Sequence, residues 1–334
     1  MATISPVLAL LTPEELRDFL PDAMRRELHE LAPDLRVVDP LTLPPEAFPA
    51  VLKEVNPAVL LACWKTPPLP GVLPNRLRYV CYFAGSVKRL VNRSHLEQGL
   101  LVTNWGGSIS RIVAEWALFH MLSCLRRATA WAIGMHLEGA WKNGATETAS
   151  LFGRRIGIHG FGQVARELTA LLRPFGTAVQ VFAPDVTEEA EKEYGVRRAP
   201  SLEALFSDND VVVELAPLIP ETKGIITEDL LRRIRPGGVF VNVGRGAVVD
   251  EAALLRVAHE GKIQVGLDVF TTEPLPTDSP FRGLRNVTLT PHLAGPTTDR
   301  RRDAGEFALA NLRAYAAGAP LQAIVTPEVY DRSS

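Results

Sequence analysis

The chain has 334 residues, 46% of them apolar and 22% charged, with a formal net charge of −2. That length can hold two domains with their own cores, and the near-balanced charge gives no general attraction to nucleic acid or a membrane surface. Three scattered cysteines, Cys63, Cys81 and Cys124, form no CxxC pair and no His/Cys cluster, so no metal site is expected and a reducing, cytoplasmic setting fits.

The opening "MATISPVLALLTPEEL" has too short an apolar run and no basic leader for a signal peptide. No run approaches the ~18 apolar residues of a membrane span. Short β-branched runs follow: "LRVVDP" (35–40), "AVLLAC" (58–63), "LRYVCYF" (77–83) and "LLVTN" (100–104). Pro, Gly and Asn bound them, which predicts buried parallel strands with helices between, for example over 23–31. The proline-rich segments 40–49 and 67–74 read as loops. "ISRIVAEWALFHMLSCLRRATAWAIGMH" (109–136) is apolar over most of a helical circumference. It predicts one long helix buried on several sides, within the monomer or between subunits.

A second β/α series starts at Arg155. "RIGIHGF" leads into a turn, 163–175 has a helical apolar face, and "AVQVFA", "VVVELA", "VFVNVG", "QVGLDVF" and "VTLTP" read as strands. Helices are predicted near 228–234 and 251–260, the second with Asp250 as N-cap, and a last one over 298–317. Two runs of alternation imply an α/β chain with two doubly wound parallel-sheet domains.

"GIHGFGQVA" contains Gly160-x-Gly162-x-x-Ala165 between a predicted strand and a predicted helix. The first glycine permits the tight turn, the second admits a pyrophosphate, and the small third residue lets helix and strand pack. The helix N-terminus then faces the phosphates. Downstream, Arg245 stands at a strand end between two glycines, where a guanidinium can fork onto a carboxylate. Read alone it fits a surface ion pair equally well. Asp268 ends another strand, with Glu273 in the Pro-bounded loop beyond it. Of the seven histidines, His292 alone combines a strand end with a Pro/Gly frame, and a neighbouring carboxylate would orient it and favour its protonated form. His120, His136 and His259 read as packing or surface residues, and His159 as part of the strand before the glycine turn.

The ordered set "GIHGFGQVA", "VNVGRGAVVDEAAL", "LDVFTTEPLP" and "TPHLAGPT" resembles the D-isomer-specific 2-hydroxyacid dehydrogenase family, which includes phosphoglycerate dehydrogenases and glyoxylate/hydroxypyruvate reductases. The resemblance runs from about Arg78 to Leu312. It implies two Rossmann-like domains: a substrate domain from residues 1–104 plus 296–334, and an inserted NAD-binding domain, 105–295. It implies that Arg245 binds and polarises a 2-oxo acid, that His292 is the general acid/base, and that Glu273 pairs with it. It places Asp268 at the nicotinamide amide. The dinucleotide is expected on Gly160, Gly162, Gln163, Val164, Asp185, Ala216, Pro217, Val243, Gly244, Asp268, His292 and Gly295. The substrate carboxylate is expected on Ala84, Gly85 and Ser86 together with Arg245. A homodimer is implied, packed across the helix near 108–138.

Two places depart from the family pattern. Its G-x-G-x-D stretch reads Ala84-Gly85-Ser86-Val87-Lys88 here, with a base in place of the acid, which reads as a solvated loop or as selection for a second negative group on the substrate. Its ribose-binding aspartate falls on Ala183. Asp185 comes two residues late, either to reach the ribose or to cap the next turn. With Glu188 and Glu189 following, the surroundings favour NAD, with NADP not excluded. Three readings stand: an NAD-linked 2-hydroxyacid dehydrogenase, an NADPH-preferring glyoxylate/hydroxypyruvate reductase, and a non-enzymatic NAD(H)-sensing protein on the same fold. A formate dehydrogenase is disfavoured, since that branch has a glutamine where Glu273 stands.

Overall fold

The computed structural model describes residues 2–143 and 147–333. The chain divides into two compact units, one from the start to Ile109 and from Pro296 onward, the other from Ser110 to Gly295.

The first unit carries strands β1 (Val7–Leu10), β2 (Arg36–Val38), β3 (Val59–Ala62), β4 (Tyr79–Tyr82) and β5 (Leu101–Thr103). They form one parallel sheet in the order β2-β1-β3-β4-β5. Helices α1 (Pro13–Phe19), α2 (Asp22–Leu31), α3 (Phe48–Val55) and α4 (Arg93–Glu97) lie between the strands. β1 and α1 went unread in the sequence because the apolar run "VLAL" is only four residues long. Yet α1 begins with a reciprocal cap: the Thr12 hydroxyl accepts from the Glu15 N–H, and the Glu15 carboxylate accepts from the Thr12 N–H. The expected burial of every strand fails at β2, an edge strand whose residues are largely exposed.

The second unit opens with α5 (Ser110–Leu125) and α6 (Ala128–Glu138). The single long helix expected there is two helices, broken at Arg127, whose φ of 53° lies in the left-handed region. Strands β6 (Arg155–His159), β7 (Ala178–Phe182), β8 (Arg197–Arg198), β9 (Val211–Glu214), β10 (Val239–Asn242), β11 (Gln264–Leu267) and β12 (Val287–Leu289) alternate with α7 (Gln163–Leu172), α8 (Glu188–Tyr194), α9 (Leu202–Asp208), α10 (Glu228–Arg233) and α11 (Glu251–His259). The helix expected over 163–175 stops at Leu172, and Pro174 sits in a 3₁₀ turn after it. Asp250 caps α11 as expected, accepting from the Ala253 N–H at 3.0 Å.

This second sheet is parallel in the order β12-β11-β10-β9-β6-β7-β8, the Rossmann order with its switch point between β6 and β9. Alternate strand residues fill two cores. Ile156, Ile158, Val211 and Val213 pack with α5 and α7 on one face. Val212, Phe240 and Val265 pack with α9, α10 and α11 on the other.

Back in the first unit, α12 (Arg301–Ala316) and α13 (Pro327–Arg332) close the chain. Gly305 of α12 lies so close to the Phe19 carbonyl that a β-carbon there would overlap it. No helix among the described residues is long and apolar enough to cross a membrane, and no group of three or more metal-binding side chains gathers among them.

Candidate active site

Arg245, Glu273 and His292 all project from loops at the C-terminal ends of β10, β11 and β12. Asn242, the last residue of β10 and 1% exposed, clasps the first loop from both sides. Its amide oxygen accepts from the Gly244 N–H at 3.0 Å, and its amide nitrogen donates to the Arg245 carbonyl at 3.1 Å. Gly246 then presses the loop onto the next one: a β-carbon there would stand 2.1 Å from the Phe270 carbonyl carbon. The Arg245 guanidinium donates to the Gly244 carbonyl at 2.8 Å. Burial pushes its pKa down from the usual value, and the Glu273 carboxylate nearby pulls it back up.

Glu273 is held in turn. One oxygen accepts from the Phe270 N–H at 3.0 Å, and the other lies 2.7 Å from Nδ1 of His292. With Nδ1–H donating to the carboxylate, Nε2 is the nitrogen left for chemistry. The imidazole is about half exposed. His292 has a φ of 53°, a strained conformation for a non-glycine residue that surrounding bonds must hold. Here its N–H donates to the carbonyls of Asp268 and Thr290. Glu273 and His292, with Phe270, Pro274, Leu275, Arg282, Leu289, Thr290 and Pro291, line a cavity of about 590 Å³.

Asp268 sits beneath this loop with no exposed surface. Its Oδ1 accepts from Trp116 Nε1, Thr290 Oγ1 and the Leu293 N–H, and its Oδ2 from the Ala294 N–H. Direct contact with a nicotinamide amide would require one of these neighbours to move. The sequence reading missed the supporting partners, Asn242, Trp116, Thr290 and His120. His120, expected to be a packing or surface residue, is buried and lies 2.9 Å by Nε2 from Thr290 Oγ1. Since Thr290 donates to Asp268, His120 must be the donor there. Burial pushes its pKa down to about 4, so it is neutral at pH 7. Gly266 makes room for this ring, since a β-carbon would stand 2.8 Å from its Nδ1.

At the other half of the sheet edge, Gly160 has a φ of 90° and lies against the Ala216 backbone, 2.7 Å from the place of a β-carbon. Gly162 caps α7 without a side-chain bond, and a β-carbon there would meet nothing. The first-turn N–H groups at Gln163 and Val164 are therefore open to an anion, as a pyrophosphate requires. Val243 is buried, Pro217 exposed and Gly295 in open space. Thr187, not Asp185, caps α8. Asp185 is exposed and makes no hydrogen bond or ion pair among the described residues, which removes the turn-cap reading.

In the first unit, the Ala84 and Gly85 carbonyls accept from Trp105 and Asn104, and Gly85 packs directly under the Trp105 indole. The N–H groups of Gly85, Ser86 and Val87 have no partner among the described residues. The Lys88 ammonium lies 5.5 Å from the centre of the Tyr330 ring, so this cation is engaged within its own unit. The cysteines are buried, and burial pushes all three thiols up, Cys81 to about 11 and Cys124 to about 12. None is a thiolate near neutrality.

The family profile described as "D-isomer specific 2-hydroxyacid dehydrogenase, NAD binding domain" matches residues 118–294. A glyoxylate reductase of Korarchaeum cryptofilum is 33% identical over 259 residues, covering 76% of this chain and 77% of that protein. A D-3-phosphoglycerate dehydrogenase of Mycobacterium bovis is 33% identical over 222 residues, covering 66% of this chain but 42% of that longer protein. The crystal structure of a glyoxylate reductase from Paecilomyes thermophila superposes with a TM-score of 0.82 at 24% identity, over 98% of this chain and 100% of that one. At that identity the likeness speaks to the fold.

Proposed function

This chain belongs to the D-isomer-specific 2-hydroxyacid dehydrogenase family, and from that premise we propose that it interconverts a 2-oxo acid and a 2-hydroxy acid by Arg245, Glu273 and His292. It is an NAD(P)-dependent oxidoreductase. A bound nicotinamide dinucleotide supplies or accepts the hydride. The observation that carries the reading is the 2.7 Å Glu273–His292 pair, which leaves Nε2 open beside a half-exposed ring.

In the direction of reduction, His292 gives a proton from Nε2 to the carbonyl oxygen. Glu273 keeps the ring oriented, with its carboxylate accepting from Nδ1. Arg245 forks onto the carboxylate and stabilises the charge that grows on the carbonyl oxygen. Partial burial strengthens that role, because fewer waters compete for the guanidinium. In the first unit, the open N–H groups after Ala84, at Gly85 and Ser86, suit a carboxylate. Asp268 acts as the anchor of the segment that carries His292.

The dinucleotide would rest on Gly160, Gly162, Gln163 and Val164, with Ala216, Pro217, Val243, Gly244 and Gly295 along the same edge and the exposed Asp185 near the ribose. The acids Glu188 and Glu189 in the first turn of α8 oppose a 2′-phosphate and favour NAD. One observation supports the NADPH reading. Arg197 and Arg198 stand exposed on β8, paired with Gln180 and Val181 of β7, one strand from Ala183. A homodimer through the α5–α6 region is supported by the exposed Phe119, Met135, Leu137 and Trp141.

The test is direct. The protein is mixed with NADH or NADPH and a panel of 2-oxo acids, and the loss of reduced-nicotinamide absorbance is followed. Turnover with any of them sustains the reading and ranks the two cofactors. Tight NADH binding with no turnover across the panel would favour the sensing protein instead.

A further inference from the structure

A buried acid–base pair lies under the glycine turn, and the proposed catalysis does not use it. His159 is the last residue of β6 and Glu214 the last of β9, and the two are register partners. Those strands flank the switch point of the sheet, where connections depart to opposite faces and a ligand crevice opens. The Glu214 side chain has no exposed surface and that of His159 only 6%. One Glu214 oxygen accepts from the Ala216 N–H at 2.7 Å, and the other lies 2.5 Å from His159 Nδ1.

This arrangement fixes the use of the ring. The Nδ1–H donates to the carboxylate, which leaves Nε2 as the nitrogen that can present a lone pair. Nε2 has no partner among the described residues, yet it is not among the polar atoms sealed from solvent without one. It is therefore an open acceptor on an otherwise buried side chain. In the free protein it can accept from water, and a ligand hydroxyl that displaces that water can donate to it in turn.

Its neighbourhood names the donor. His159 is the register partner of Phe182, and the Gly160 N–H donates to the Phe182 carbonyl. The next residue is Ala183, where the ribose-binding acid is absent. With Nδ1–H turned to Glu214, Nε2 can accept a hydrogen bond from a hydroxyl as that acid's carboxylate oxygen would.

We infer that His159 Nε2 accepts from a hydroxyl of the adenosine ribose of the bound dinucleotide, in place of an acid at Ala183, with Glu214 as its positioning residue. The inference rests on the dinucleotide-binding reading of the second unit, and not on which acid is turned over.

The test uses the full chain and needs no substrate. Binding of ADP, 2′-deoxy-ADP and 3′-deoxy-ADP is measured by displacement of NADH. The wild type should bind ADP about tenfold tighter than at least one deoxy analogue, the size of one hydrogen bond. His159→Asn keeps an amide N–H at the place of Nδ1 for Glu214 but has no atom at Nε2. It should fold and lose that preference. Two results would overturn the inference: equal binding of all three nucleotides by the wild type, or an undiminished preference in His159→Asn. A protein that binds ADP with this pattern but turns over no 2-oxo acid loses the dehydrogenase reading and keeps this one.

Discussion

Asp268 and His292 are bound through the main chain: the His292 N–H donates to the Asp268 carbonyl at 2.9 Å. The carboxylate of the same aspartate collects the next two N–H groups, those of Leu293 and Ala294. A buried acid thus holds a half-exposed histidine in a left-handed conformation, and the strain at His292 is carried by bonds to Asp268, the residue after β11.

Given that anchoring, Asp268→Asn should be severe although it is nearly isosteric. An amide has one acceptor oxygen for four donors, and its NH₂ would face another donor. We expect a loss of about 3 kcal/mol in urea unfolding, with a fall in kcat in whatever fraction remains folded. Stability within ~0.5 kcal/mol of the wild type would show that the network is dispensable.

His292→Ala should lower kcat on the order of 10²–10⁴-fold and leave the NADH dissociation constant nearly unchanged. Glu273→Gln should lower kcat less, since the amide still accepts from the Phe270 N–H and still lies beside the ring, but offers no carboxylate oxygen to Nδ1. Stopped-flow measurement of turnover, with NADH fluorescence titration alongside, separates the two effects. A fully active His292→Ala enzyme would sink the assignment.

Two glycines should behave in opposite ways. Gly246→Ala places a methyl group against the Phe270 carbonyl and should cost about 3 kcal/mol or more. Gly162→Ala adds a methyl where nothing stands, so stability should hold while NADH affinity falls. Thermal unfolding and NADH titration of both variants check this. A Gly162→Ala protein with wild-type NADH affinity would place the pyrophosphate elsewhere.

The buried His120 predicts a pH dependence of known sign. Its pKa is about 4 in the fold against an ordinary 6.5, so between those values the unfolded chain binds more protons. Its contribution is complete above about pH 6.5 and is lost as pH falls toward 4, amounting to about 3 kcal/mol across the window. His120→Gln keeps an N–H near Thr290 and removes the titration. Its unfolding free energy should therefore fall less steeply than that of the wild type between pH 6.5 and 4. Parallel slopes would show that another group carries the effect.

The legibility of the chain followed from how local each signal is. The glycine turn, the Asp250 cap and most strands were readable because each is written in a few adjacent residues. β1 was missed for its brevity. The break between α5 and α6 was missed because Arg127 adopts a left-handed conformation without a glycine to announce it.

Sequence by itself determined the chemistry on offer: an uncapped helix behind a glycine turn, and an arginine, a glutamate and a histidine placed at strand ends by three separate motifs. Tertiary structure alone decided who meets whom. Glu273 and His292 are 19 residues apart and His159 and Glu214 are 55 apart, and only strand register closes those gaps. The same holds for the fully buried Asp268, since a carboxylate without exposed surface must find its donors inside, and those came from α5 and from the segment after β12.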